Sequence, residues 1–236
     1  MQIKDSVVFI TGANRGLGLA FAKAALAAGA RKVYGAARDA SSVTLPGVTP
    51  VALDVTQPAQ IEAAVRACGD VSLLVNNAGI SRGSSLLGSP DAMAAARAEF
   101  ETNFFGPWAM TQAFAPVLAA NGGGAVVNVL SALSWTTFPS VATYSATKSA
   151  AWSLSNGLRN ELAGQGTQVT SLHVAFMDTD MAAHVPGSKA SPDDVARQAL
   201  EGVEAGKVEV LADAVSRQLK QGLSSDAPPY AAAPAR

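Results

Sequence analysis

Short runs of β-branched and apolar residues alternate along the chain with longer, alanine-rich segments of helical composition. This alternation is typical of βαβ units, in which helices connect parallel strands. We therefore predict an α/β fold, a doubly wound three-layer sandwich whose mostly parallel central sheet has about seven strands. The predicted strands are 7–11, 32–37, 49–53, 71–75, 125–130, 168–174 and 207–211, and the predicted helices are 17–28, 57–67, 91–121, 143–162, 215–223 and one that follows Ser191.

Two features of the helices go beyond the hydrophobic pattern. The longest predicted helix contains Gly106 and Pro107 near its middle, and we expect a bend there because proline cannot continue the helical hydrogen bonding. Ser191 is expected to cap the helix that begins with Pro192. The connection between the second and third strands has few helix signals and is expected to be short.

The length of 236 residues, 49% of them hydrophobic, suits one folded domain, which we place at 1–223. The segment 224–236 is rich in alanine and proline, and we expect a flexible tail or one that folds over a neighbour. A net charge of -1 argues against a nucleic-acid partner, and the single cysteine, Cys68, excludes an internal disulfide. Neither a signal peptide nor a long apolar run is evident, so we expect a cytoplasmic protein without a membrane partner.

Three glycines follow the first predicted strand, in the sequence Thr-Gly-Ala-Asn-Arg-Gly-Leu-Gly at 11–18. Gly12, Gly16 and Gly18 would let the backbone turn tightly and approach a pyrophosphate, while the following helix N-terminus supplies amide donors. The spacing differs from the common G-x-G-x-x-G pattern, and ordinary tight turns also contain clustered glycines. In this position the turn predicts a Rossmann-type dinucleotide site, with a purely structural turn as the alternative.

The end of the second strand indicates which dinucleotide would bind. In a doubly wound sheet an acidic residue at this point holds the ribose 2′-hydroxyl of NAD. Here the strand ends in Ala37 and Arg38 follows, and we expect Arg15 of the glycine turn to point to the same neighbourhood. Two guanidiniums suit a 2′-phosphate, so we predict NADP(H) in preference to NAD(H). Alternatively, both arginines are solvated surface charges, or Asp39 binds the ribose.

Tyr144 and Lys148 lie four residues apart at the start of a predicted helix and hence on one face of it. A free tyrosine is a poor base at neutral pH, but a nearby ammonium lowers its pKa and makes the pair a candidate acid/base unit. Such pairs are common on helix surfaces. Ser131, just past the fifth strand, lies at the sheet edge where ligands bind and could donate to a substrate oxygen, although serines more often cap turns.

These motifs occur in a fixed order along the chain: the glycine turn, Asn-Asn-Ala-Gly at 76–79, Asn103, Ser131, and Tyr144 with Lys148. As a set they resemble the short-chain dehydrogenase/reductase family, in its single-domain branch, over residues 5–215. The resemblance implies an NADP(H)-dependent oxidoreductase of the carbonyl reductase type, which moves the pro-S hydride between the nicotinamide and a carbonyl or alcohol substrate. It also implies a homodimer or homotetramer.

The resemblance further implies a role for each of four residues. Tyr144 would be the general acid or base, and Ser131 would orient and polarise the substrate oxygen. Lys148 would bind the nicotinamide ribose and lower the pKa of the tyrosine. Asn103 would hold a water that links Lys148 to solvent, although its side chain could also satisfy backbone groups near the bend at Pro107.

The cofactor contacts implied in the same way extend over the first five strands and the loop after the sixth. Asp54 would meet the adenine amine, and Thr179 would contact the carboxamide or the phosphates. The family's usual Pro-Gly after the sixth strand is missing, because this chain has Val-Ala-Phe-Met-Asp-Thr at 174–179. The predicted set is Gly12, Asn14, Arg15, Gly16, Leu17, Gly18, Arg38, Asp54, Val55, Asn77, Ala78, Gly79, Tyr144, Lys148 and Thr179.

Large apolar residues in the loops after the fifth and sixth strands are the candidates for the substrate wall. The predicted pocket residues are Leu133, Trp135, Phe138, Phe176, Met181 and His184. The segment 181–190 is short, so we expect an open pocket that accepts bulky carbonyl compounds. His173 and His184 are too isolated to predict a metal site, and His173 is expected to be a satisfied core histidine.

Two other classes of function remain open at this point. A dehydratase or epimerase could use the same tyrosine without net redox change, although such relatives generally carry a separate substrate domain. A dinucleotide sensor could bind the cofactor without catalysis, although it would need only the cofactor half of these residues.

Overall fold

Seven parallel strands form a single sheet in a computed structural model, which describes residues 1–183 and 185–231. The strands are β1 (Val7–Thr11), β2 (Lys32–Ala37), β3 (Val48–Ala52), β4 (Leu73–Asn76), β5 (Ala125–Val129), β6 (Gln168–His173) and β7 (Glu209–Leu211). Their order across the sheet is β3-β2-β1-β4-β5-β6-β7. This confirms the predicted doubly wound Rossmann-type fold, whose strand order reverses between β1 and β4 and so opens a crevice at their carboxyl ends.

Helices cover both faces of the sheet and complete three layers. They are α1 (Gly16–Ala27), α2 (Pro58–Ala67), α3 (Ala92–Phe100), α4 (Gly106–Ala120), α5 (Ala142–Leu162), α6 (Pro192–Glu204) and α7 (Ala214–Gly222). Because successive residues of a strand face opposite sides, Val8 of β1 packs with α1 and α6 while Phe9 packs with α2, α4 and α5. Ser191 caps α6 through a bond from the amide of Asp194, as predicted.

The predicted long helix is interrupted at a slightly different place from the expected bend. A π-helical turn, Glu101–Phe105, joins α3 to α4 directly before Gly106 and Pro107. Pro107 has no N–H to donate to the carbonyl of Asn103, and a π turn is one way for a helix to absorb that lost bond. The irregular turn therefore coincides with one of the candidate site residues.

Most element boundaries fall within two residues of the prediction, as is usual for the frayed ends of helices and strands. The connection from β2 to β3 contains only a short 3-10 turn, Ala40–Ser42. Across the described ranges, no helix has the length and apolar character needed to cross a bilayer. After α7 the structure describes the predicted tail as far as a 3-10 turn, Pro229–Ala231, with Pro229 beside Gly222; the rest of that tail, 232–236, lies outside the described residues.

Candidate active site

The glycine turn at the end of β1 depends on the absence of side chains at three positions. Gly12 and Gly16 have φ values of 66° and 53°, in the left-handed region that residues with a Cβ rarely adopt. A Cβ added to Gly18 would lie 2.0 Å from the carbonyl oxygen of Gly12 and 2.6 Å from Nδ2 of Asn77. The first turn of α1 is therefore packed directly on the loop before it, and only glycine fits.

The residues after β4 fix this turn from the neighbouring strand. Asn77 donates from Nδ2 to the carbonyls of Thr11 and Gly12, at 2.8 and 3.1 Å. The hydroxyl of Thr11 in turn accepts from the backbone N–H groups of Asn77 and Ala78. Asn76, the first residue of the Asn-Asn-Ala-Gly motif, differs from the three residues after it. Its side chain is buried and hydrogen-bonded to Thr111 and Asn128, so it cannot line a cofactor.

Lys148 lies on the face of α5 that packs against the sheet, one turn after Tyr144. It is only 5% exposed, and its ammonium donates to the carbonyl of Val129 at the end of β5, at 2.8 Å. The Nζ atom lies 5.5 Å from the centroid of the Tyr144 ring. Burial disfavours the charged amine and lowers the pKa of Lys148 to about 8.

The pKa of Tyr144 is raised above its ordinary value, although the residue keeps part of its surface exposed. Burial is the main cause and the negative charge of Glu99 adds to it, while a hydrogen bond with Ser131 acts in the opposite direction. The expected lowering of this pKa by Lys148 is not seen, because burial and the charge of Glu99 set the direction and Ser131 alone opposes them. Tyr144 is a protonated phenol at neutral pH, the form that can donate a proton.

Ser131 caps a turn, as serines often do, and its hydroxyl is also near the candidate acid Tyr144. Its hydroxyl caps the 3-10 turn Ala132–Ser134 by accepting from the N–H of Leu133 at 3.1 Å, and it also interacts with Tyr144. Its carbonyl lies 3.0 Å from Nδ1 of His173, which must carry the proton because a carbonyl only accepts. His173 is fully buried, and burial lowers its pKa to about 4, so it is a neutral residue that helps to fix Ser131.

Asn103 joins the π turn to the loop after β4. Its Oδ1 accepts from the N–H of Ile80 at 2.9 Å, and its Nδ2 donates to the carbonyl of Ile80 and to the hydroxyl of Thr147. A Cβ added to Gly79 would lie 3.2 Å from Oδ1 of Asn103 and 3.8 Å from Nζ of Lys148. The side chain therefore serves the loop at Gly79 rather than the bend at Pro107, and the alternative interpretation of Asn103 is wrong in that respect.

Glu99 is a residue of this site that the sequence analysis missed. It is fully buried on α3, and its Oε1 accepts from the N–H of Arg82 at 2.6 Å. Within the described ranges, its Oε2 atom has no hydrogen-bond partner. The signal was available, because Glu99 precedes Asn103 by four residues and so lies on the same helix face.

The end of β2 has the expected basic character but not the expected pair of arginines. Arg38 is exposed, and Asp39 caps the next turn by accepting from the N–H and the hydroxyl of Ser41. Arg15 instead points towards the loop after β6 and binds Asp180 at 2.6 Å, with both side chains exposed. The prediction that Arg15 points towards the end of β2 is therefore wrong for this conformation, because a carboxylate on the other side attracts it.

The remaining cofactor candidates line the same crevice in different ways. Asp54 accepts from the N–H and the hydroxyl of Thr56 with one oxygen, which leaves the other oxygen for a ligand. Val55 lies directly on Gly106, where a Cβ would be 2.8 Å from it. Thr179 lies beside Gly16, with its methyl group 3.4 Å from the position of an added Cβ. Asn14 is partly exposed in the glycine turn, whereas Leu17 is buried in the hydrophobic core.

Ser131 also lines a cavity of about 280 Å³. Of the predicted pocket residues, Leu133, Phe138 and Phe176 line it. Trp135 does not line it, because its ring stacks on the ring of the buried His173, with the two centroids 4.1 Å apart. Trp135 instead borders a second, more open hollow. Met181 is half exposed and lines neither space, and His184 lies outside the described residues. The cavity residues that the sequence analysis missed are Ala132, Thr136, Ala175, Val215, Leu219 and Pro229.

The loop that lacks the family's Pro-Gly is held by side-chain and backbone bonds. The N–H of Ala175 donates to Asp213 at 2.6 Å, and Phe176 and Asp178 bond to the backbone of Ala190. No cluster of metal-ligating side chains occurs in the part of the chain that the structure describes.

Comparison with known proteins agrees with this geometry. A family model described as short chain dehydrogenase matches residues 6–189. A crystal structure of a short chain dehydrogenase from Burkholderia cenocepacia in complex with NADP is 40% identical, with a TM-score of 0.92 over 96% of this chain and 95% of that one. A 3-oxoacyl-(acyl-carrier-protein) reductase from Vibrio cholerae is 30% identical over 88% of this chain and 86% of its own length.

A third relative, dehydrogenase/reductase SDR family member 7B of Bos taurus, is 33% identical over 76% of this chain but only 60% of its own length. The fold and the crevice define a dinucleotide-dependent oxidoreductase, and the chain belongs to the short-chain dehydrogenase/reductase family.

Proposed function

We propose that the protein is an NADP(H)-dependent carbonyl reductase in which Tyr144 is the general acid. The observation that carries this proposal is the convergence of Tyr144, Lys148 and Ser131 near Gly79, with Lys148 buried although it is an amine. Burying an ammonium without function is costly, so such a lysine in a crevice is a strong candidate for chemistry.

The side chains divide the reaction between them. When bound, the reduced nicotinamide supplies the hydride that the carbonyl carbon accepts. Ser131 donates to the carbonyl oxygen, and Tyr144 gives that oxygen its proton, so the product is an alcohol. Oxidation of an alcohol is the reverse, with Tyr144 as the base. Placing donors and substrate together in advance supplies most of the rate enhancement.

Lys148 and Asn103 support the tyrosine. One N–H of Lys148 is committed to Val129, which leaves two donors for the ribose hydroxyls of the cofactor. The side chain of Asn103 is committed to Ile80 and Thr147. Its backbone carbonyl receives no hydrogen bond from Pro107, four residues later, because proline has no N–H. We therefore assign to this carbonyl the water that connects Lys148 with solvent.

The preference for NADP(H) rests on the end of β2. Arg38 is exposed there, Ala37 occupies the place of the usual acid, and Asp39 is engaged in a cap. The Burkholderia cenocepacia relative was crystallised with NADP, whereas a relative from Burkholderia phymatum, 25% identical, was crystallised with NAD. A guanidinium without a competing carboxylate favours the 2′-phosphate.

The same proposal includes predictions of the partners and the location. The substrate would be a small-molecule carbonyl or alcohol, the assembly a homodimer or homotetramer, and the location the cytoplasm. Phe105 and Trp108 of the π turn and α4 are each more than two-fifths exposed, which suits a subunit contact. Analytical ultracentrifugation of the full chain tests the oligomer.

Absorbance of the reduced nicotinamide tests the reaction, with NADPH or NADH and a panel of ketones, aldehydes and quinones. We expect Tyr144→Phe to lower kcat by a factor of about 10²–10⁴ while NADPH binding is retained. Tyr34→Phe is the matched control, since it removes a tyrosine hydroxyl from β2, where it binds Lys32 and Asp70. Tight NADPH binding without turnover of any panel member would instead favour the sensor or the non-redox enzyme.

A further inference from the structure

The cavity beside Ser131 has walls that are apolar but incompletely covered. Phe138, Phe176 and Val215 are 49%, 43% and 52% exposed, although large apolar side chains are usually buried. All three line the same cavity, so they form one apolar surface rather than scattered residues. Such a concave surface next to a catalytic group marks a place for a ligand.

The chemistry of the lining restricts what can enter. Among the residues that the structure describes, the only polar side chains that line the cavity are Ser131 and Thr136, and none is charged. A carboxylate or phosphate placed here would lose its hydration without gaining a partner, which is unfavourable. The volume of about 280 Å³ lies at the lower end for ligand pockets and suits a ring or a short branched chain.

One wall comes from the C-terminal part of the chain. Val215 and Leu219 lie one helical turn apart on α7 and both face the cavity. Asp213 fixes this helix to the loop after β6, because it accepts from the N–H of Ala175 at 2.6 Å and caps α7 at Ser216. The position of α7 relative to Ser131 is thus set by this partly buried hydrogen bond and not by apolar contact alone.

Pro229 closes the wall beyond α7. A Cβ added to Gly222, at the end of that helix, would lie 2.9 and 3.0 Å from Cγ and Cδ of the proline ring. The ring can rest on the helix only because residue 222 is a glycine. The turn that follows it, with the N–H of Ala231 bonded to the carbonyl of Pro228, keeps the ring in place.

We propose that the substrate is a ketone or aldehyde whose carbonyl carries an uncharged apolar group, and that this group fills the cavity between Phe176, Leu219 and Pro229. The reacting oxygen then lies at Ser131 and Tyr144, and Leu219 and Pro229 set the largest group that is accepted. This inference rests on the proposed function and gives it a substrate class.

A matched pair of ketones tests the charge requirement: a phenyl alkyl ketone and the same ketone with a para-carboxylate. We expect kcat/KM of the wild-type chain with NADPH to be at least about tenfold higher for the uncharged ketone. Leu219→Arg should reverse or abolish that preference by offering a partner to the carboxylate. Gln218→Arg adds the same charge on the exposed face of α7 and should leave the preference unchanged.

A glycine pair tests the size limit. Gly222→Ala should displace Pro229 and raise kcat/KM for ketones with larger rings relative to the phenyl ketone. Gly157→Ala also adds a methyl group to a helix, but nothing lies within 4 Å of it, and the size preference should stay as in the wild type. Equal rates for the charged and uncharged ketones, or an unchanged size limit in Gly222→Ala, would overturn the inference.

Ligand-observed NMR with the same ketones and the chain saturated with NADP⁺ separates this inference from the reaction itself. If no ketone is turned over but the uncharged one binds selectively and loses affinity in Leu219→Arg, the proposed function fails and the binding class stands. If the carboxylate binds as well as the uncharged ketone, the substrate class is wrong even if NADPH oxidation is observed.

Discussion

The two halves of the site are built in contrasting ways. In the cofactor half, the loops after β1 and β4 are joined by hydrogen bonds between Thr11, Asn77 and Ala78, and Gly18 leaves no free space. In the substrate half, apolar side chains from distant parts of the chain surround a cavity and stay partly exposed.

This difference follows from what each half is proposed to bind. A pyrophosphate is recognised by backbone N–H groups whose positions tolerate little change, so bonds and close contacts must fix the backbone. An apolar group is held by non-directional contacts, which allow residues to change as long as shape and volume are kept. Substitutions in the first half should therefore affect binding and folding together, and those in the second half should mainly affect selectivity.

The largest contrast is expected from the same substitution in each half. Gly18→Ala forces a methyl group against the carbonyl of Gly12, where the backbone cannot yield, and should destabilise the fold by about 1–3 kcal/mol and abolish most NADPH binding. Gly222→Ala meets only the side-chain ring of Pro229 and should leave NADPH affinity within about twofold of the wild type. Thermal unfolding measures the stability of each variant, and fluorescence titration measures its NADPH affinity. Equal losses of stability and affinity in the two variants would contradict the distinction between the halves.

Arg38→Ala sharpens the account of the cofactor half. Loss of a charge-assisted bond to the 2′-phosphate should weaken NADPH binding by a factor of about 10–150, since such bonds contribute about 1.5–3 kcal/mol. NADH affinity should be unaffected. Arg31→Ala removes an exposed arginine before β2 and serves as the control. A parallel loss for both dinucleotides would contradict the role of Arg38 in cofactor choice.

Glu99→Gln tests the electrostatics where the two halves meet. The negative charge of Glu99 raises the pKa of Tyr144, so its removal lowers that pKa. Ketone reduction needs the phenol, and its high-pH decline should move to lower pH; alcohol oxidation needs the phenolate, and its rise should also move to lower pH. Steady-state pH profiles measure this, with the exposed Glu101→Gln as control. A loss of rate without a shift of the profile would show that Glu99 only holds the loop at Arg82.

The smallest effect is expected from Asp180→Asn. This change releases Arg15 from an exposed ion pair, and such pairs contribute at most about 1 kcal/mol. If the freed guanidinium reaches the phosphates, NADPH affinity should rise by less than about fivefold. Isothermal titration calorimetry at low ionic strength measures it, with Asp178→Asn as a nearby exposed control. A weaker affinity would mean that the Arg15–Asp180 pair itself shapes the site.

Local order in the sequence determined the fold and the cofactor half. The alternation of strand and helix patterns defined the sheet, and the glycine turn, Asn103 and the Tyr144/Lys148 pair each lie within one element or one loop. Their relative positions then follow, because the carboxyl ends of parallel strands meet at one edge.

Only the tertiary structure decided the partners of individual charges and the substrate wall. Arg15 binds Asp180, Trp135 stacks on His173, and Glu99 is buried near Tyr144. In each pair the two residues are far apart in the sequence, so only the folded chain brings them together. The substrate wall is decided in the same way. The hydrogen bond from Ala175 to Asp213 places α7 near Ser131, and Pro229 packs on α7 at Gly222, where there is no side chain. Periodicity states which face of a helix is apolar, but not which cavity that face will line.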